Sequence, residues 1–258
     1  MKLADLVAYV NELLQTATLP DYPQALNGLH LENYSGDVSK IAAAVDAHLP
    51  VIQQAAVRGC DLLIVHHGLF WSGLQRLVGP FYHKLKVCGE NDLAIYSAHL
   101  PLDGHLEFGN GIQLARALEL QDTAWIPFSP YKGFNIGVRG SVSAAFGDLS
   151  REDLVRRLEK ATGHKAHLCA GGPEWVKEIG IVTGVAGSEV AAMKEQGINT
   201  FITGEGPHWS YTLAEELGVN LLYGGHYATE TFGVKALAAH LSEKFGLPWE
   251  FIDHPTGL

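Results

Sequence analysis

Two stretches of this chain repeat one chemical phrase. Tyr96-Ser97-Ala98-His99-Leu100-Pro101-Leu102-Asp103 and Tyr223-Gly224-Gly225-His226-Tyr227-Ala228-Thr229-Glu230 each run Tyr, two small residues, His, three residues, carboxylate. A third cluster, His66-His67, closes the apolar run Leu62-Leu63-Ile64-Val65. Imidazole mixed with carboxylate selects zinc, manganese, iron or nickel over calcium or magnesium. His226 and Glu230 are four apart, so a helix starting after Gly224-Gly225 stacks them on one face as a chelating pair. His66 and His67 are adjacent and would face opposite sides of a continuing strand. A turn at Gly68 lets both reach one site, or each serves a different ion. Asp103 could bridge two ions, as could Glu230. A lone His at a strand end is more often a hydrogen-bonded rim residue than a ligand. Three such clusters together point to a metal site, because functional groups gather in loops at sheet edges.

Other residues are weaker candidates. Asp103 can carry the ligand role at its cluster and leave His99 to orient it. Glu205 is a candidate base or a carboxylate that orients a ligand, and His99 shares the proton-handling role. Gly184-Val185-Ala186-Gly187-Ser188 follows an expected strand and opens an expected helix, so Gly187, Ser188 and the nearby His208 are candidates for holding a substrate or phosphate. The competing reading is a tight turn with Ser188 as N-cap, and His208 and His105 also read as surface residues. Gly109-Asn110-Gly111 lacks the third glycine and acidic partner of a dinucleotide fingerprint, and G-K-[ST], H-E-x-x-H and G-x-S-x-G are all missing from the sequence.

The elements that must position these groups follow from periodicity. Leu3, Leu6, Val7, Val10, Leu13 and Leu14 predict an opening amphipathic helix, ended by Pro20 and Pro23. A strand over Ile41 to Val45, a helix from Leu49 to Arg58 and a strand over Asp61 to Val65 imply a parallel pair with a crossover. The phrase recurs at an offset of 138, aligning Gly59 with Gly197 and His67 with Glu205. At an offset of 127, His99 aligns with His226 and Asp103 with Glu230. The expected class is therefore α/β: two related lobes, with mostly parallel sheets facing a shared metal site. The lobes are residues 1–124 and 176–258, joined by an α/β segment, 125–175, and forming one intertwined unit. In that segment Phe134 to Val138 reads as a strand, and Ser150 with Asp153 as a helix start ending at Gly163. Phe251-Ile252-Asp253 reads as a last strand.

The chain has 258 residues, 47% of them hydrophobic, enough for a sizeable core. A formal net charge of −10 argues against nucleic-acid backbone binding, which rests on Lys and Arg. Cys60, Cys88 and Cys169 are an odd, widely spaced set that reads as free thiols in a reducing compartment. No apolar stretch approaches the roughly 18 residues of a membrane span, and the N-terminus does not read as a signal peptide, so the expectation is a cytoplasmic protein.

The motifs Asn27-Gly28-Leu29, Val65-His66-His67-Gly68-Leu69-Phe70-Trp71, His99-Leu100-Pro101-Leu102-Asp103, Gly109-Asn110, Thr203-Gly204-Glu205 and Gly224-Gly225-His226-Tyr227-Ala228-Thr229-Glu230 together resemble the NIF-three-like family, also called GTP cyclohydrolase 1 type 2-like proteins. The resemblance runs from Leu3 to Asp253 and fits the short bacterial form. It implies a dinuclear centre with two divalent ions per chain on His66, His67, Asp103, His226 and Glu230. It also implies a toroidal homohexamer. One departure is His30, where the family usually has Gln. The middle segment is the least family-like part. The function expected is a metal-dependent hydrolase acting on a nucleotide or other small polar substrate. The family name suggests opening of a purine ring, with amidine or phosphoester hydrolysis as the wider class. A non-catalytic metal-binding or regulatory scaffold is the alternative.

Overall fold

The computed structural model describes residues 1–126, 134–142 and 149–258. The chain divides into two compact units, Met1–Phe108 with Gly233–His254, and Gly109–Phe232 with Pro255–Leu258.

In the first unit the strand order among the described residues is Gly28–Leu31, Ala94–Ser97, Leu62–His67, Ile41–Asp46, Trp249–Phe251. The last four run parallel, and Gly28–Leu31 is antiparallel to its neighbour. The central strands are apolar on both faces, as a parallel sheet covered by helices requires. Ile41, Ala43, Leu62 and Ile64 pack with Leu3, Leu6 and Val10 of the helix Leu3–Leu14 and with Leu237 and Leu241 of the helix Thr231–Phe245. Their alternates Ala42, Ala44, Leu63 and Val65 pack with Val51, Ile52 and Ala55 of the helix Leu49–Val57 and with Phe81 of the helix Gly79–Glu90. The opening helix stops at Leu14, well before Pro20. Gln15 takes the left-handed conformation (φ 53°) and its N–H closes the last turn onto Asn11 and Glu12.

In the second unit the order among the described residues is Gln121–Ile126, Gly137–Ser141, Glu178–Ile181, Thr200–Thr203, Asn220–Tyr223, His167–Ala170. The three strands from Glu178–Ile181 to Asn220–Tyr223 are parallel and the other pairings antiparallel, so this sheet is mixed rather than mostly parallel. The strand expected over Phe134 to Val138 sits three residues later. Gly137 and Gly140 do not break it; they let Ile126 and Leu120 approach where a Cβ would crowd them. Leu154 and Leu158 of the helix Arg151–Thr162 pack on Ile179, Ile202 and Leu222.

The internal repeat is present as topology. Ile41–Asp46, Leu49–Val57, Leu62–His67, Gly79–Glu90, Ala94–Ser97 and the short helix Leu100–Asp103 follow the same order as Glu178–Ile181, Val190–Glu195, Thr200–Thr203, His208–Leu217, Asn220–Tyr223 and the short helix His226–Thr229. Gly59 (φ 67°) and Gly197 (φ 78°) make the same left-handed exit from the first helix of each copy. The division into units runs differently from the three segments expected. The helix Thr231–Phe245 and the strand Trp249–Phe251 return to the first sheet, where Trp249 pairs with Ile41. The middle segment supplies strands flanking the second sheet's parallel core. The last strand ends at Phe251, earlier than its expected span.

Ser150 caps Arg151–Thr162. Its hydroxyl accepts from the Asp153 backbone N–H at 3.0 Å, and Gly163 (φ 69°) closes the other end. Ser150→Ala is expected to lower stability by about 1 kcal/mol, read as a shifted urea midpoint at constant slope.

Candidate metal centre

The first unit assembles its candidates at the C-terminal end of its parallel strands. The strand Leu62–His67 delivers both imidazoles, His66 fully buried and His67 half-buried. Though adjacent in a strand, their ring centroids lie 4.9 Å apart. Gly68 follows directly, and a Cβ there would lie 2.1 Å from His30 Cε1 and 2.8 Å from Ser97 Cβ. Glycine is therefore required for the chain to leave the strand at this angle. His30 braces the same turn, donating from Nε2 to the Leu26 carbonyl and accepting at Nδ1 from the Leu69 N–H. The departure from the family's usual Gln is thus a loop-packing residue.

The second donors on these rings are fixed. His66 Nδ1 lies 2.9 Å from the Ala98 carbonyl. A carbonyl only accepts, so Nδ1 carries the hydrogen and Nε2 presents its lone pair. That Nε2 is 3.5 Å from Oδ2 of Asp103, a buried carboxylate on the helix Leu100–Asp103. His67 Nδ1 is 2.9 Å from Asp46 Oδ1, because strand register sets Asp46 beside His67. Single ligand atoms of His66, His67 and His99 all lie within 4.8 Å of one another, a group that could hold a metal ion.

His99 is buried, and its Nδ1 is 2.8 Å from Asp21 Oδ1. Burial pulls its pKa below the ordinary imidazole value, against the Asp21 bond, so the ring is neutral with Nδ1–H toward Asp21. Asp21 also accepts from Asn27 Nδ2 (2.7 Å) and the Leu100 N–H (2.9 Å), while Asn27 Oδ1 accepts from the His99 N–H (2.7 Å). Burial raises the Asp21 pKa, but bonds from His99 and Asn27 outweigh it and hold the carboxyl below its usual range. Asp21 and Asp46 escape the sequence reading. Their only signals are an Asp set between Pro20 and Pro23, which reads as an ordinary turn, and an Asp closing a strand.

The second unit carries the other pair. Gly225 (φ 90°) turns the chain into the helix His226–Thr229, whose first residue and following Glu230 are the expected i, i+4 pair. His226 Nε2 is 3.1 Å from Glu230 Oε2, and Nδ1 is 2.7 Å from Glu205 Oε1. Burial works against a charged ring, but Glu230 and then Glu205 outweigh it and push His226 up to about 9. Glu205 therefore orients His226 and also lines a cavity of about 390 Å³ with His167, His208, Tyr211 and Tyr223.

The Gly187 and Ser188 expectation fares differently. The Gly187 N–H donates to the Glu205 carbonyl at 3.0 Å, and the Ala186 N–H to Thr203 Oγ1 at 3.1 Å. These amides are committed to the protein rather than aimed at an anion. Nor is Ser188 an N-cap; its hydroxyl turns to the Glu189 carboxylate at 3.4 Å, and the helix that follows spans only Val190–Glu195. His105 accepts from the N–H groups of Glu107 and Phe108 and stacks on Phe108, which makes it a turn residue. Cys60, Cys88 and Cys169 are free and buried, and burial pushes the Cys88 thiol up to about 12.

The profile of the Duf34/NIF3 (NGG1p interacting factor 3) family matches residues 1–256. Relatives called "GTP cyclohydrolase 1 type 2 homolog" include one from Deinococcus radiodurans, 39% identical over 98% of this chain and 94% of its own. Another, from Pyrococcus abyssi, is 37% identical over the whole of both chains. The crystal structure of TTHA1606 from Thermus thermophilus superposes over the whole of both chains with a TM-score of 0.88 at 39% identity. The chain belongs to the Duf34/NIF3 family. Among the described residues, no helix is long and apolar enough to cross a membrane.

Proposed function

We propose that this chain binds two divalent metal ions on His66, His67, Asp103, His226 and Glu230 and acts as a metal-dependent hydrolase on a small polar substrate of the nucleotide type. One observation carries the reading. His66, His67 and His226 each have Nδ1 held by a carbonyl or carboxylate, which makes Nε2 the nitrogen offered to a metal. The donor set of neutral imidazole and carboxylate suits zinc, manganese, iron or nickel. Bound there, a pair of such cations supplies Lewis acidity and a water of lowered pKa.

The chain's own groups do the rest. Asp46 and Glu205 fix the rings of His67 and His226. Asp21 holds the neutral tautomer of His99, so that its Nε2 presents a lone pair that takes up a proton and returns it to a leaving group. The names of the relatives support a nucleotide substrate, and the family resemblance supports a cytoplasmic homohexamer.

Protein purified without chelator should carry close to two metal ions per chain by plasma mass spectrometry. Fewer than one would overturn the dinuclear reading. A fully loaded protein without turnover on nucleotides, phosphoesters and cyclic amidines would favour a metal-binding scaffold. Loading should also depend on pH. In the metal-free protein His226 stays protonated up to about 9, so an incoming ion must displace that proton. Affinity of chelator-stripped protein for manganese is expected to rise by up to about tenfold per pH unit from about pH 6 to about pH 8.5. The raised pKa also stabilises the metal-free fold below the ordinary imidazole value of 6.5, and that contribution fades as pH climbs through about 9.

A further inference from the structure

The residues after His66-His67 split by destination. Leu69 is buried in the first unit's core and Phe70 packs against it, but Trp71 turns away and stays 39% exposed. Its ring lies against the imidazoles instead, 4.9 Å from His67 and 4.5 Å from His99 by centroid. Tyr22, 42% exposed, meets Trp71 edge-on at 6.3 Å and His99 at 6.0 Å. Tyr22 is set in place by its neighbour: its N–H donates at 2.6 Å to Asp21 Oδ1, the oxygen that also binds His99. His67 and His99 are themselves pinned by Asp46 and Asp21. Two large aromatic rings are thus kept off the core and fixed beside the candidate ligands.

We propose that Trp71 and Tyr22 form a stacking platform that binds the planar heteroaromatic ring of the substrate beside His67 and His99. The proposal deepens the hydrolase reading by naming the part of the substrate the chain recognises. Exposed aromatic faces attract flat, electron-poor rings and tolerate many ring types, because recognition is through the π-face. A ring seated on Trp71 would present its edge to the imidazoles, where bond cleavage would occur. Leu69 and Phe70 lock the backbone on which Trp71 sits, and Asp21 locks that of Tyr22, so little ordering remains to oppose binding.

The test uses full-length protein and inosine 5′-monophosphate as probe, read by saturation-transfer NMR. Expected in the wild type is strongest transfer to the base protons H2 and H8, with ribose protons weaker. Trp71→Ala should weaken binding about tenfold or more, and Trp71→Phe should restore most of it. Ribose 5-phosphate should show no dependence on residue 71. Equal base saturation in wild type and Trp71→Ala would overturn the platform, as would transfer confined to the sugar. Metal content is measured on the same samples, with and without chelator. Base saturation that depends on Trp71 in a protein that takes up no metal would sink the hydrolase reading and keep the platform. Full metal loading without base saturation would do the reverse.

Discussion

His226→Ala protein is expected to retain less than about a tenth of the wild-type metal content. Orienting partners alone change metal affinity by about 10- to 100-fold, and removing the donor nitrogen itself should cost at least as much. The same substitution should weaken the metal-free fold. At neutral pH the charged His226 ring faces Glu230 Oε2 at 3.1 Å and Glu205 Oε1 at 2.7 Å. Glu230 is buried, whereas the Glu205 side chain is 41% exposed. Taking the cation from beside a buried carboxylate costs about 3 kcal/mol; the exposed one contributes little. Urea unfolding of chelator-stripped samples at pH 7 should show this loss, together with a smaller change for Glu205→Gln. Wild-type metal content in His226→Ala would remove His226 from the ligand set.

Which of these features a sequence reader can find depends on how local the signal is. Helix periodicity over Leu3 to Leu14 and the apolar run Leu62 to Val65 encode their elements within a dozen residues, and both are present. The i, i+4 spacing of His226 and Glu230 is equally local, and so is the Ser150 cap. The bonds that orient the imidazoles are not. Asp21 reaches His99 across 78 residues and Asp46 reaches His67 across 21, so only the folded sheet reveals them. The unit boundaries were hidden for the same reason, since Trp249 pairs with Ile41 from the far end of the chain. The shifted strand Gly137–Ser141 is a further case. Local pattern places it over Phe134 to Val138, but its glycines at 137 and 140 leave room for Ile126 and Leu120, contacts that only the folded sheet supplies. At the loop before Ser188, the Ala186 and Gly187 amides have long-range partners in Thr203 and Glu205 that the local sequence does not show.

Gly184→Ala should be as damaging as the loss of a ligand, although residue 184 carries no chemistry. Gly184 sits at φ 67°, where a Cβ costs about 1–2 kcal/mol. That Cβ would also lie 2.2 Å from Glu230 Oε1 and 3.6 Å from His226 Nε2. The backbone cannot step aside. The Gly184 N–H donates to Thr229 Oγ1 at 3.2 Å, and its carbonyl accepts from the Gly204 and Glu205 N–H groups, both at 2.9 Å. The carboxylate must therefore move, and Glu230 with it. The expected loss is about 3 kcal/mol of stability in metal-free protein, the backbone strain plus an overpacking cost of similar size, with a matching fall in metal content. A double-mutant cycle isolates the cause. In the Glu230→Ala background the obstructing oxygen is gone, so adding Gly184→Ala should cost only the backbone strain. A coupling of about 1 kcal/mol or more between the two sites is the expected signature of the clash. Strict additivity would show that the glycine is needed for its backbone alone, and that Glu230 owes its position to something other than the space Gly184 leaves.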